Sequence, residues 1–154
     1  MAENFYKEAV KKGQKEKKNC INDGVDPYLP ALDEIVSSDQ IITEVNLGVM
    51  QVPAEWIVGT KSASRANAFA RNFMPLLAAD TEFGMKWKSL CESHVEEGIH
   101  DSVKAYEYMN RYYVQEGNKR VSVLKFFDAV TIPAEVIRVL PVRDGSKEVE
   151  IYYE

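Results

Sequence analysis

Histidine and cysteine are scarce in this sequence of 154 residues, which contains two of each. Cys20 and Cys91 are too few for a disulfide framework, and neither lies in a Cys-x-x-Cys motif or a Cys/His cluster with metal-ligand spacing. With His94 and His100 as its two histidines, the chain has few side chains from which a histidine-based metal site or a Ser-His-Asp triad could be built. We therefore expect no metal centre built from these residues and interpret both thiols as structural.

Long apolar runs are also missing. No stretch approaches the roughly 18 apolar residues that a membrane span requires, and the polar, lysine-rich start lacks the apolar core of a secretory signal. We therefore expect a cytoplasmic protein that does not bind a membrane. With 45% hydrophobic residues, the chain has the size and composition of one ordinary globular domain.

Basic charge is unevenly distributed along the chain. The formal net charge of −5 argues against a protein that covers nucleic acid with its whole surface, because phosphate neutralisation requires a basic face. Residues 1–20 nevertheless hold six lysines against three glutamates, a surplus of three, so the remainder carries −8 (−5 minus +3). We interpret this start as a solvated basic helix, with a nucleic-acid-binding arm as the alternative.

The periodicity divides the chain into a helical extension, residues 1–40, and a domain, residues 41–154. The chain stops inside an apolar, strand-like run, from which we expect a fragment of a longer protein. Helices are predicted over residues 2–18, 30–37, around 66–77, from 81 to 97 and from 118 to 127. Strands are predicted over residues 41–52, 103–108, 111–115, 132–142 and 148–153, with a hairpin loop at Met109-Asn110.

One predicted turn carries the chemistry of an anion site. A strand is followed by Gly117 and then by a buried helix that opens with Asn118-Lys119-Arg120. The first N–H groups of a helix lack intrahelical acceptors, and the helix dipole adds about half a positive charge there. Lys119 and Arg120 at this end are unfavourable by about 0.3–1 kcal/mol each unless an anion compensates them. The alternative is that Gly117 only makes the turn and both cations are solvated.

Several stretches of the sequence resemble the ParB N-terminal domain. They are residues 97–103, then Tyr112-Tyr113-Val114-Gln115-Glu116-Gly117-Asn118-Lys119-Arg120, then Ile132-Pro133-Ala134-Glu135-Val136. That family has a glycine and an apolar pair, a hairpin, a Gly-Glu-Arg-Arg turn on a helix, and a strand beginning near Val-Pro. Residues 52–58 resemble its first strand, and Arg65 with Phe69 resembles its Gln-Pro-Arg-x-x-Phe box. The resemblance covers about residues 45–140.

The resemblance implies a ParB/sulfiredoxin-like α+β fold, a small mixed sheet with flanking helices. In this superfamily the Gly-x-x-Arg turn binds the phosphates of a nucleotide: CTP in ParB, ATP in sulfiredoxin and ADP in a free-serine kinase. By position, the phosphate-binding residues are Gly117, Asn118, Lys119 and Arg120, with Arg65 from the facing loop. Further candidates are Thr60, Lys61 and Ser62, and Asp101 takes the place of the family glutamine.

Two departures from the family pattern bear on catalysis. Asn118 stands where sulfiredoxin has its catalytic cysteine and ParB a glutamate, which argues against sulfinic acid reduction and against CTP hydrolysis. Glu116 stands where the serine kinase has an aspartate, and a carboxylate there could ligate Mg²⁺ or accept a substrate proton. Glu116 could equally be a solvated strand end.

The resemblance favours a nucleotide- or phosphate-binding regulatory module, as part of a bacterial transcriptional or DNA-partition-type regulator. The alternative is a small phosphotransferase or nucleotidase with Glu116 as the catalytic carboxylate. DNA contact is expected only indirectly or through a missing C-terminal region, and a homodimer is compatible with the sequence. We further expect Arg65 to face the Gly117 turn, and Arg120→Ala to weaken ligand binding while hardly affecting folding.

Overall fold

The computed structural model describes residues 1–154 and contains one five-stranded mixed sheet. The strand order is β1-β5-β3-β4-β2, with antiparallel pairs β1/β5 and β3/β4 and parallel pairs β3/β5 and β2/β4. The strands are β1 (Ile41–Pro53), β2 (Ile57–Thr60), β3 (Val103–Tyr108), β4 (Arg111–Glu116) and β5 (Thr131–Pro141). With helices on its flanks, the sheet confirms the predicted α+β class.

Five α-helices surround the sheet: α1 (Ala2–Asn22), α2 (Leu32–Ile35), α3 (Glu82–Glu96), α4 (Asn118–Phe126) and α5 (Lys147–Tyr153). Helix α3 begins where the sequence predicts, because Thr81 Oγ1 accepts a hydrogen bond from the Gly84 N–H at 3.0 Å. The β3–β4 hairpin is also confirmed, and both loop residues, Met109 and Asn110, have positive φ. None of these helices combines the length and apolar character needed to cross a membrane.

Helix α4 lies at the centre of the hydrophobic interior. Val121 and Leu124 belong to a cluster of sixteen buried residues against the sheet. Val123 and Phe126 belong to a second cluster of seven, which also contains residues of α1 and α3. Six of the nine residues of α4 are buried. The helix therefore packs on the sheet with one side and on two helices with another, which fixes where both of its ends lie.

Residues 1–40 are packed into the same body. Tyr6 of α1 is 1% exposed, and its hydroxyl donates to the Leu77 carbonyl at 2.6 Å. Its ring meets Trp87 of α3 edge-on, with 5.3 Å between the centroids. Ala31 makes a parallel bridge to Thr60 beside β2. Helix α1, interpreted from the sequence as a solvated basic helix, thus buries a complete tyrosine.

The helix predicted around residues 66–77 is wrong. A 3₁₀ helix, Ala63–Ala68, is followed by irregular chain in which Phe73 has a φ of 69°. Pro75 cannot donate a backbone hydrogen bond and disfavours a helical conformation at the residue before it. The apolar residues are nevertheless buried, since Phe69 and Phe73 both lie in the large cluster. The spacing of these residues therefore predicted correctly which side chains are buried, but it did not predict the conformation of the backbone.

The strand predicted over residues 148–153 is also wrong, because this segment forms α5. Ser146 caps the helix by accepting a hydrogen bond from the Val149 N–H at 3.4 Å. Glu148 and Glu150 in the first turn are favourable beside the positive end of the helix dipole. The Tyr152 hydroxyl donates to the buried Glu107 carboxylate of β3, which joins α5 to the sheet.

The buried contact between α3 and α4 is open to a stability test. Trp87 Nε1 donates to Ser122 Oγ at 2.9 Å, and both residues are 0% exposed. Ser122→Ala should lower the free energy of unfolding by about 1–3 kcal/mol, because the indole N–H loses its acceptor without access to water. Urea titration measures the change. Ser93→Ala, on the exposed side of α3, should change it by less than about 0.5 kcal/mol, and equal losses in the two variants would contradict this role of Ser122.

Candidate functional site

A left-handed glycine joins β4 to α4. Gly117 has a φ of 101°, directly after the last residue of β4 and before the first residue of α4. A Cβ atom at this position would lie 2.6 Å from Val103 Cγ1 of the neighbouring strand. Both the conformation and the close approach therefore require glycine. The predicted order of strand, glycine and helix is confirmed.

The N-terminus of α4 opens into a cavity of about 450 Å³. The cavity is polar, since Leu90 is the one hydrophobic side chain among its ten lining residues. Arg65 lines it as well, which confirms that this arginine faces the turn despite its distance in sequence. The full lining comprises Arg65, Lys86, Ser89, Leu90, Gln115, Glu116, Gly117, Asn118, Lys119 and Arg120.

Asn118 forms the inner wall of this cavity. The residue is 9% exposed, and its Nδ2 donates to Thr60 Oγ1 at 3.3 Å. The Thr60 hydroxyl donates in turn to the Val114 carbonyl at 3.1 Å, so Thr60 lies behind Asn118 and holds it in place. Asn118 Oδ1 is buried without a hydrogen-bond partner. A buried unpaired acceptor is costly, and a ligand that donates a hydrogen bond here would remove that cost.

Positive charge accumulates around the start of α4. Burial lowers the pKa of Lys119, and the neighbouring Arg65 and Lys86 lower it further, against a smaller opposite effect of Glu82. The Lys119 ammonium forms no salt bridge and lies 5.3 Å from the centroid of the Phe83 ring. Lys86 is partly compensated by Glu82, 2.9 Å away and exposed. Four cations, Arg65, Lys86, Lys119 and Arg120, therefore line the cavity with a single carboxylate, Glu116, so positive charge is in excess.

Arg120 has a structural role that the sequence does not reveal. Its Nη1 donates to the Ser102 carbonyl at 3.0 Å and to the Asp101 carbonyl at 3.5 Å. The guanidinium thus ties the start of α4 to the loop that leads into β3. The expectation that Arg120→Ala hardly affects folding is therefore corrected. Asp101 takes part through its backbone carbonyl and does not line the cavity.

Two other predicted residues lie away from the cavity, and a third lies at its edge. Lys61 pairs with Asp33, and its ammonium lies 5.2 Å from the centroid of the Tyr106 ring. Ser62 caps the 3₁₀ helix by accepting from the Ser64 N–H. Glu116 lines the cavity, but its side chain is 64% exposed and lies 3.9 Å from the Lys104 ammonium. No cluster of three or more His, Cys, Asp or Glu side chains could hold a metal ion.

Helix α3 contributes residues that the sequence prediction missed. Lys86, Ser89 and Leu90 line the cavity from the side of α3 that faces α4. In the sequence these residues resemble any other mixed helix face. Only the packing of α3 against α4 brings Lys86 within electrostatic range of Lys119, so no local pattern could have identified it.

Comparisons with known proteins find little. No family model matches the chain, and no curated protein matches it at a significant level. Among solved structures the chain is similar to a sulfiredoxin from Arabidopsis thaliana, with 19% sequence identity and a TM-score of 0.40. The similarity covers 69% of this chain and 97% of the sulfiredoxin. The function has to be inferred from the site itself.

The two arginines of the cavity should differ in their effect on stability. Arg120→Ala should lower the free energy of unfolding by about 1–2 kcal/mol, because it removes charge-assisted hydrogen bonds to two carbonyls. Arg65→Ala should change it by less than about 0.5 kcal/mol, because the exposed Arg65 side chain makes no hydrogen bond within the protein. Chemical denaturation of both variants measures the difference, and an Arg120→Ala variant as stable as the wild type would refute the anchoring role.

Proposed function

We propose that this chain binds a phosphate-bearing ligand, specifically a nucleotide, at the N-terminus of α4 and acts as a ligand-sensing module of a cytoplasmic regulator. The observation that carries the proposal is the charge state of the cavity. Lys119 has no salt bridge, and its pKa is lowered by burial and by Arg65 and Lys86. An anion in the cavity would remove this repulsion, whereas a neutral or cationic ligand would not.

Phosphate suits the groups that surround this cavity. Four backbone N–H groups at the start of a helix lack intrahelical acceptors, and here three of them belong to Asn118, Lys119 and Arg120. Arg65 carries a planar fork of donors suited to two phosphate oxygens, and Lys119 adds a compact charge. Arg120 already uses one nitrogen for the Ser102 carbonyl. We assign Arg65 and Lys119 the main ligand contacts and Arg120 the positioning of the turn.

The nucleotide part of the proposal is supported by the resemblance of residues 116–120 to the phosphate turn of ParB and its relatives. The lining residues fit phosphates and contain no aromatic side chain on which a base could stack. The triphosphate or diphosphate would therefore occupy the cavity, with the base outside it. Mg²⁺ typically binds through one or two carboxylates together with substrate phosphates, and Glu116 is the carboxylate available for this role.

A substitution of Lys119 tests this proposal directly. Lys119→Ala should weaken binding of ATP, ADP or CTP by roughly 1.5–3 kcal/mol, about ten- to a hundredfold, because it removes a charge-assisted contact to phosphate. Stability without ligand should fall by no more than about 1 kcal/mol, because the Lys119 ammonium forms no salt bridge and its contact within the protein is with the Phe83 ring. Calorimetric titration gives the affinity. An anion favours protonated Lys119, so wild-type affinity should decrease as the pH rises through the lowered pKa of this lysine.

Lys147→Ala is the matched control for this experiment. Lys147 also lies in the first turn of a helix, but it is exposed and belongs to α5, away from the cavity. This variant should bind every nucleotide as the wild type does. If millimolar nucleotide and inorganic phosphate leave the melting temperature of the wild type unchanged, the chain does not bind such ligands at this turn, since a ligand at 100 times its dissociation constant adds about 2.7 kcal/mol.

A second candidate function is phosphoryl transfer or nucleotide hydrolysis with Glu116 as the catalytic carboxylate. One observation favours it: Glu116 lines the same cavity as Arg65 and Lys119, and its contact to Lys104 is long, at 3.9 Å. A carboxylate in this place could orient a nucleophile or hold Mg²⁺ against a phosphate.

Glu116→Gln separates the two functions. If Glu116 is catalytic, phosphate release in the presence of Mg²⁺ and nucleotide should fall by about 100-fold or more, while nucleotide affinity changes little. If the chain is a binding module, the wild type itself should release no phosphate above the buffer rate. A Glu116→Gln variant that matches an active wild type would remove Glu116 from the mechanism.

A further inference from the structure

A second cavity, of about 510 Å³, lies at the opposite end of α4 and of the parallel pair β2/β4. Lys125 reaches it from the last turn of α4, whereas the first cavity surrounds the N-terminus of that helix. Ile57 and Arg111, the first residues of β2 and β4, also line it. The two cavities share no lining residue.

Cations outnumber carboxylates in this second cavity. Arg71, Arg111 and Lys125 line it together with a single carboxylate, Glu55, so the formal excess is two positive charges. None of these four residues takes part in a salt bridge. The cavity therefore matches a ligand with two negative charges.

The cations form two separate groups. Arg111 and Arg71 both act on the phenol of Tyr113, where they oppose the rise in pKa that burial causes. Arg71 Nη1 donates to the Asp26 carbonyl at 3.2 Å, whereas Lys125 is held at a different carbonyl, and burial lowers the pKa of Lys125 to about 8. The Lys125 ammonium donates to the Ile57 carbonyl at 2.7 Å and lies 4.9 Å from the centroid of the Phe73 ring. The two groups are thus tied to different parts of the chain, and a ligand with two anionic groups could pair with both.

Apolar side chains complete the lining. Pro30, Ile35, Ile57 and Val58 line the cavity with aliphatic carbon. Such a surface accommodates a short hydrocarbon chain better than a hydrated ion. Tyr113 is 4% exposed, and its hydroxyl makes no hydrogen bond within the protein, so it offers a donor to a ligand oxygen.

We propose that this cavity binds a small dicarboxylic acid. One carboxylate contacts Arg71, Arg111 and the Tyr113 hydroxyl, the other contacts the Lys125 ammonium, and the carbon chain lies on the apolar lining. Lys125 has three N–H donors, of which the Ile57 carbonyl takes one, so two remain for a carboxylate. This site is independent of the proposed nucleotide site and would stand if that proposal failed.

Calorimetric titration with glutarate tests the site. Glutarate should bind with a stoichiometry of one, and pentanoate, which has the same chain length and one carboxylate, should bind about tenfold more weakly or worse. Binding should also take up protons near pH 8, because the second carboxylate favours protonated Lys125. Titrations in buffers of different ionisation enthalpy measure that uptake.

Two variants test which residues bind each carboxylate of the ligand. Arg111→Ala, at an exposed position, should weaken glutarate binding about tenfold or more and retain the proton uptake. Lys125→Met should reduce glutarate affinity to that of pentanoate and abolish the uptake. Lys147→Ala, on α5, should behave as the wild type. If Lys125→Met fails to fold, the Arg111→Ala titration still tests the site.

Three outcomes would overturn the proposal. The first is the absence of saturable glutarate binding to the wild type at millimolar concentration. The second is an affinity for inorganic phosphate or pentanoate equal to that for glutarate, which would mean that one anionic group suffices. The third is a glutarate affinity that Arg111→Ala leaves unchanged. Nucleotide binding at the first cavity is measured separately with Lys119→Ala, so failure at one site is distinguishable from failure at the other.

Discussion

The burial of α4 between the sheet and the two helices α1 and α3 is the constraint on which the rest of the structure depends. Val121 and Leu124 contact the sheet side, while Val123 and Phe126 contact the helices. Moving the helix along its axis would pull side chains out of both clusters, each at a cost of about 1.5–3 kcal/mol. Gly117 completes the arrangement, because its left-handed conformation lets the chain reverse directly beside Val103.

The electrostatics of the molecule follow from this fixed position. Each end of α4 opens into a cavity, with Lys119 lining the first and Lys125 lining the second. Because the helix is fixed by its packing, neither lysine can leave its cavity through a shift of the helix. At the N-terminus the dipole opposes the cation, and at the C-terminus it favours one. Lys125 nevertheless has a lowered pKa, because burial outweighs the favourable dipole. Lys119 and Lys125 therefore both have lowered pKa values, although the dipole acts on the two lysines in opposite directions.

Neighbouring residues of the turn differ in the contacts that their side chains make. Arg120 donates hydrogen bonds to the carbonyls of Asp101 and Ser102, and these bonds hold the turn in place. Lys119, one residue earlier, makes no such bond and keeps its charge in the cavity. Thr60 acts in the same supporting way, since it holds Asn118 from behind. A rigid support of this kind lowers the entropy lost when a ligand binds.

The sequence by itself determined the features that rest on local chemistry. Positive φ at Met109 and Asn110 sets the hairpin, Thr81 caps α3, and the glycine at position 117 allows the turn that opens α4. Each involves residues close together in the chain, so composition and spacing suffice to predict it. Two of the cations at the start of α4, Lys119 and Arg120, could be predicted in the same way, because they are adjacent in the sequence.

Only the tertiary structure decided how the remaining segments run and what lies opposite the turn. Apolar spacing around residues 66–77 predicts a helix, yet most of the segment is irregular. Phe69 and Phe73 are buried in the core all the same, because burial depends on where the side chains lie and an irregular backbone can place them there. Lys86 joins the first cavity through the packing of α3 on α4. Arg71, Arg111 and Lys125 line the second cavity although they lie far apart in the chain. Such convergence depends on long-range packing, which no local pattern encodes.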